Sequence, residues 1–106
     1  MDGVFVSSIE PEHWEPDPDV PGSEMHELVN ADGMWAGLTR FLTVDGPAHW
    51  TPPRRETIHV LEGEAVIEID GGPTLRLGPG DLASLPGGRA TTWFITAPFK
   101  EFWVFA

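Results

Sequence analysis

Residues 56–88 read ETIHVLEGEAVIEIDGGPTLRLGPGDLASLPGG, and this stretch decides the fold. Short apolar runs alternate in it with glycine- and proline-containing turn signals at residues 62–64, 70–72, 78–81 and 86–88. Glycine permits positive φ and proline presets φ in tight turns, so the spacing favours antiparallel strands in a barrel or a sandwich.

Residues 64–70 alternate between apolar and acidic side chains. Ala65, Ile67 and Ile69 share one face of an extended chain, and Glu68 lies on the other. The pattern predicts a strand with one buried face and one solvated face.

Similar runs extend over most of the chain and predict eight short strands. The runs are MHELVN, MWAGLTRFL, ETIHVLE, EAVIEID, PTLRL, DLASLP, TTWFIT and KEFWVF. In the last run, residues 102–105 are apolar without interruption, which indicates burial on both faces. A domain of 106 residues is too small to cover both faces of this strand, so we expect a homodimer.

The first part of the chain differs in composition from the rest. Residues 1–32 carry nine carboxylates and no Lys or Arg, and residues 11–23 contain four prolines. Prolines at this density exclude a helix or a central strand. We therefore expect an acidic, extended, Pro-rich N-terminal arm with edge strands over residues 1–32, followed by a barrel over residues 33–106.

Composition excludes several classes of function. A net charge of −11 would repel phosphate backbones, and no cluster of basic residues suggests an anionic membrane surface, so we expect neither nucleic acid nor membrane as a partner. The chain has no cysteine, which excludes thiol catalysis and disulfides. No signal peptide or membrane span is evident, and we expect a cytoplasmic protein.

One group of residues resembles the first sequence motif of the cupin superfamily. Glu56 is followed after six residues by Gly63, and counting back from Glu56 places Thr51 and His49 at the two histidine positions of that motif. The second cupin motif is matched less completely. Gly80, Pro86 and Gly88 fit it, but Thr91 stands at its histidine position.

The C-terminal part is similar to one cupin subgroup, the small proteins related to ureidoglycine aminohydrolase, at Trp93 and Lys100. The resemblance covers residues 33–106. It implies an all-β fold, a single-domain cupin double-stranded β-helix (a jelly-roll barrel), with the N-terminal arm added to it.

The resemblance also implies a metal site made of three His and one Glu. Only His49 and Glu56 remain of this set, so we expect no tightly bound cofactor; the alternative is a divalent Fe, Mn, Ni or Zn held by these two residues. Without a metal, His49 could act as a general base near pH 7 with Glu56 beside it. Burial on the inward face should raise the pKa of Glu56.

Further side chains are expected at the ligand cavity. Trp50 and Trp93 are candidates for its apolar lining, Thr91 for its edge, and Arg54 for binding a substrate carboxylate. The sequence therefore predicts a cupin that binds a small organic molecule of unassigned identity. Alternatives are a metal-dependent dioxygenase or aminohydrolase, a metal-free isomerase, epimerase or cyclase that uses His49 as base, and a noncatalytic protein whose acidic arm binds a basic partner.

Overall fold

The computed structural model describes residues 2–106 and consists of β-strands joined by turns and loops. The strands are β1 (Glu15–Pro16), β2 (Glu24–Ala31), β3 (Met34–Phe41), β4 (Ala48–Trp50), β5 (Glu56–Ile69), β6 (Thr74–Leu77), β7 (Leu82–Leu85) and β8 (Thr91–Phe105). The predicted all-β class is confirmed. No helix in this part of the chain is long and apolar enough to cross a membrane.

Two long strands, β5 and β8, connect the two layers of the barrel. The first half of β5 pairs with β7 and with the end of β8, and its second half pairs with β6 and with the start of β8. β8 pairs in addition with β3 near its end and with β4 near its start. β2 and β1 extend the layer beyond β3. The pairs are antiparallel, as in a jelly roll.

The structure corrects the predicted turn at residues 62–64. The runs ETIHVLE and EAVIEID form the single strand β5, whose register to β8 shifts at this point. Gly63 has a φ of 78°, and a Cβ atom there would lie 2.4 Å from the carbonyl oxygen of Pro98. The glycine therefore bends a continuous strand where a side chain would not fit. TTWFIT and KEFWVF likewise form one strand, β8.

The predicted alternation along the second half of β5 is confirmed. Ala65, Ile67 and Ile69 are buried in the core, whereas Glu68 is exposed. The barrel interior thus receives every second side chain of this strand.

The arm is partly built into the sheet. β2 lies before the predicted boundary at residue 32 and pairs with β3 over most of its length. Asp32 and Gly33 form the turn between them, both with positive φ, as the type I′ turn of a two-residue hairpin requires.

The N-terminal residues 5–9 lie across the outer face of the barrel. Together with Phe102 of β8 they line a cavity of about 320 Å³. Lys100, on the same outer face, donates a hydrogen bond of 2.8 Å from its Nζ to the carbonyl oxygen of Ile9 and forms an ion pair with Glu10. The N-terminal segment is therefore attached to β8 at the face where the sequence predicts a partner subunit.

Candidate functional site

A cavity of about 280 Å³ lies inside the barrel, between the two layers. Small-molecule sites range from roughly 300 to 1,000 Å³, so this cavity suits a small ligand. Its walls come from β2, β3, β4, β5 and β8 and from the loop after β1. The residues that line it are Asp17, Pro18, Asp19, Val20, Met25, Trp35, Thr39, Phe41, Ala48, Trp50, Glu56, Trp93, Ile95, Glu101, Trp103 and Phe105.

Aromatic rings form most of the wall. Four of the five tryptophans of the chain line the cavity. Trp35 packs edge-on against Trp103 with ring centroids 4.8 Å apart and stacks on Phe105 at 5.3 Å. Such contacts fix the ring orientations, because an edge-to-face or offset pair is more stable than other arrangements. The cavity is therefore largely preformed.

Thr91, at a histidine position of the cupin motif, connects two of these tryptophans. Its hydroxyl donates to the carbonyl oxygen of Trp50 and accepts a hydrogen bond of 2.9 Å from Nε1 of Trp93. The side chain is buried but does not line the cavity. Thr91 thus positions the walls of the site, whereas the sequence predicted that it would edge the cavity.

Glu56 lies at the start of β5 and points into the cavity, as predicted. Its Oε1 accepts a hydrogen bond of 2.8 Å from Nε1 of Trp50. Burial raises the pKa of this carboxyl from 4.5 to about 7, and the hydrogen bond from Trp50 opposes the rise only in part. The carboxyl is therefore able to gain or lose a proton near neutral pH.

Glu101 is a second buried acid in the cavity, and sequence analysis missed it. Its side chain is only 4% exposed, and its Oε2 has no hydrogen-bond partner in the part of the chain that the structure describes. Burial, and then the nearby charge of Glu56, raise its pKa well above the ordinary value. The signal was present in the sequence: Glu101 precedes Trp103 and Phe105 at intervals of two, and so shares their inward face.

The loop after β1 closes one side of the cavity. Asp17, Pro18, Asp19 and Val20 all belong to the lining. The backbone N–H of Val20 donates to the carbonyl oxygen of Asp17, and the side chain of Asp17 accepts from the backbone N–H of Asp19, so a tight turn fixes the loop. Part of the acidic arm is therefore a wall of the site.

The structure corrects the expected location of His49. It is the middle residue of the short strand β4, whose neighbours Ala48 and Trp50 point into the cavity. Because side chains alternate along a strand, His49 faces outward, where its exposed ring lies 3.4 Å from the hydroxyl of Thr92. It does not meet Glu56 in the cavity and is not placed to act there as a base.

Arg54 also lies elsewhere than predicted. Its guanidinium is exposed and donates a hydrogen bond of 2.8 Å to the carbonyl oxygen of Gly33, in the turn between β2 and β3. It does not belong to the cavity lining, so it is not placed to bind a carboxylate there. The physical reason is local: Arg54 follows two prolines in a loop outside the barrel, before β5 begins.

The residues present do not fit the metal site that the cupin motifs imply. Glu56 points inward, but His49 points outward and the hydroxyl of Thr91 is committed to tryptophan neighbours. Within residues 2–106, no three His, Cys, Asp or Glu side chains lie close enough together to hold a metal ion. Among the described residues, the cavity thus contributes four carboxyl groups, those of Asp17, Asp19, Glu56 and Glu101, and no imidazole to any ligand set.

The sequence profile of the EutQ-like cupin domain matches residues 42–102, more than half of the chain. No curated protein sequence matches significantly. The profile supports the predicted cupin fold and does not confirm the ureidoglycine aminohydrolase subgroup.

Solved structures of the same fold include three at low sequence identity. A putative ethanolamine utilization protein EutQ from Salmonella typhimurium LT2 has a TM-score of 0.71 at 21% identity, over 87% of this chain and 76% of that protein. KdgF from Halomonas sp. has a TM-score of 0.71 at 20% identity, over 95% and 91%. A cupin superfamily protein from Desulfitobacterium hafniense has a TM-score of 0.66 at 20% identity, over 80% and 77%. At these identities the likeness concerns the fold alone.

Proposed function

The chain belongs to the EutQ-like cupin domain family, and we propose that its barrel binds a small organic molecule without a tightly bound metal. The observation that carries the proposal is a preformed aromatic cavity that contains a buried carboxyl oxygen, Oε2 of Glu101, with no partner among the described residues. Burying an unpaired polar atom costs about 1–3 kcal/mol, so this arrangement is unfavourable for stability alone and is typical of a site that a ligand completes.

A replacement that fills the cavity should abolish binding. Ala48 lines the cavity beside Trp93, its partner on β8, whereas Thr92 of the same strand pair faces outward next to His49. Benzyl alcohol serves as a small aromatic probe of the cavity. We expect Ala48→Phe to weaken its binding by about tenfold or more and Thr92→Phe to leave its binding unchanged. Tryptophan fluorescence measures this directly because four of the five tryptophans line the cavity.

Native mass spectrometry of the purified protein then identifies any molecule retained in the barrel. Prior dialysis against EDTA is expected to leave benzyl alcohol binding unchanged. Equal binding by wild type and Ala48→Phe, with both folded by circular dichroism, would place the binding site outside the cavity and refute the proposal.

A metal-free acid–base enzyme is the second candidate. One observation favours such an enzyme: the carboxyl of Glu56 in the cavity has a pKa of about 7. A general acid or base is most effective when its pKa lies near the working pH. Such an enzyme would use Glu56, since the outward-facing His49 is not placed to reach a ligand in the cavity.

We also propose that the protein is a homodimer. Its cytoplasmic location stays a prediction. Around the N-terminal segment on the outer face, Val4, Phe5 and Val6 remain 54%, 51% and 85% exposed. Contiguous exposed apolar side chains of this kind favour an interface between subunits.

Light scattering at micromolar concentration is therefore expected to give twice the chain mass, and Val6→Asp is expected to shift the protein toward the monomer. Leu82→Asp, at a position 70% exposed on β7, is the matched control and should leave the mass unchanged. A monomeric wild type would contradict the prediction and would mean that the N-terminal segment covers the outer face of β8 in place of a partner subunit.

A further inference from the structure

The charge of the cavity lining has a single sign. Four carboxyl groups, those of Asp17, Asp19, Glu56 and Glu101, belong to the lining, and none of the described Lys, Arg or His residues does. A carboxylate or phosphate ligand would therefore meet acidic groups and no cation among the described lining residues, and would lose its hydration without compensation. The lining disfavours an anionic ligand.

The tryptophans of the cavity offer ring surfaces, because their N–H groups already have partners. Trp50 donates to Glu56, Trp93 to Thr91, Trp103 to Thr39 and Trp35 to Glu27, at 2.8 to 2.9 Å. An indole whose N–H is satisfied by the protein interacts with a ligand through the π face and the ring edge. Aromatic faces of this kind attract cations, tryptophan most strongly.

Glu101 contributes a hydrogen-bond acceptor to the cavity, and this acceptor has no donor among the described residues. Its Oε2 is buried and unpartnered within residues 2–106, and the side chain shares the inward face of β8 with Trp103 and Phe105. Burial raises the pKa of Glu101 in the ligand-free protein. A cationic donor satisfies its oxygen best, because the cation favours the ionised carboxylate and hydrogen bonds between ions are about twice as strong as neutral ones. The site therefore lacks one positively charged N–H donor.

We propose, resting on the proposed small-molecule function, that the ligand is an organic cation, a protonated alkylamine whose ammonium group donates to Oε2 of Glu101 while its charge and carbon chain lie against the tryptophan rings. Asp17 and Asp19 at the loop wall add negative charge that attracts such a cation to the cavity. A neutral ligand would leave this charge distribution without a role.

Three probes with one branched carbon skeleton separate the possible charges: 3,3-dimethylbutylamine, 3,3-dimethylbutan-1-ol and 3,3-dimethylbutanoate. At pH 8 they are a cation, a neutral molecule and an anion. We expect the amine to bind about tenfold more tightly than the alcohol or better, and the butanoate to bind least, as measured by tryptophan fluorescence and calorimetry on the full chain.

Glu101→Gln keeps the size of the side chain and removes its charge. It is expected to lower the affinity for the amine to that for the alcohol and to leave the alcohol unaffected, whereas Glu68→Gln, on the exposed face of β5, should change neither. Retained amine selectivity in folded Glu101→Gln would refute the role of Glu101.

The two proposals fail in different ways. If the alcohol or the butanoate binds as tightly as the amine, the cation inference is wrong and the small-molecule site stands. If none of the three probes binds, the cation inference is also wrong, and the site itself is refuted only if benzyl alcohol fails to bind as well.

Discussion

Glu56→Gln is expected to raise the free energy of unfolding by about 3 kcal/mol at pH 8 and to leave it nearly unchanged at pH 4. The pKa of this carboxyl is about 7 in the folded barrel against an ordinary value of 4.5, and each pKa unit corresponds to about 1.4 kcal/mol. Because the folded state holds the proton of Glu56 more tightly than the unfolded chain, the contribution of this residue to stability falls as the pH rises from 4.5 to 7 and falls no further above that range. Glutamine has no proton to lose and still accepts the hydrogen bond from Trp50.

Thermal and urea unfolding between pH 4 and 8 measure this difference. Glu68→Gln is the matched control on the same strand, and its exposed side chain should leave the pH profile of stability as in the wild type. We also expect Glu56→Gln to remove any acid–base turnover that the cavity supports. If the variant has a lower melting temperature than the wild type at pH 8, the carboxylate of Glu56 is ionised in the folded protein, is paired with a cation and stabilises the fold. That result would contradict the prediction.

Glu101→Met is expected to stabilise the ligand-free protein by about 2 kcal/mol or more at pH 8. Methionine has a similar length and fills the same volume without a polar atom, whereas the buried Oε2 of Glu101 lacks a partner in the described part of the chain. In a domain of this size, 1 kcal/mol corresponds to roughly 4–8 °C, so the melting temperature should rise by about 8 °C or more. The stabilisation by Glu101→Met should be smaller near pH 4. At that pH Glu101 keeps its proton in the unfolded chain as well as in the folded protein, where its pKa is raised.

Refolding from guanidinium before the measurement removes any retained molecule from both proteins. The same variant should lose its preference for 3,3-dimethylbutylamine, which would show that Glu101 contributes to binding at a cost in stability. A double variant with Glu56→Gln should gain less than the sum of the two, since each replacement also relieves the repulsion acting on the other carboxyl. A ligand-free Glu101→Met that melts below the wild type would mean that Glu101 has a partner inside the folded protein.

The local pattern of the chain determined the fold class and the inward side of its strands. The alternation of side chains at residues 64–70 predicted the buried face of β5. The spacing of Glu56 and Gly63, which resembles the first cupin motif, predicted the cupin fold. The prediction of the buried face succeeds because side chains alternate between the two faces along an uninterrupted stretch of strand. The same rule, applied to Trp103 and Phe105, would also have found Glu101.

The strand boundaries and the site depended on tertiary structure. Whether Gly63 forms a turn or bends one continuous strand is decided by how closely the backbone at Pro98 approaches it, and that residue is distant in sequence. Spacing from the cupin motif placed His49 beside Glu56, but the register of β4 against β8 turns its ring outward.

Glu56 and Glu101 meet in one cavity because β5 and β8 pair along their whole length, and Asp17 reaches the same cavity through the loop after β1. The sequence by itself therefore determined a cupin barrel with Glu56 inside it. The tertiary structure decided that this carboxyl shares a tryptophan-lined cavity with a second buried acid and with no cation, because charge balance in a cavity is set by side chains from separate strands that only the folded register brings together.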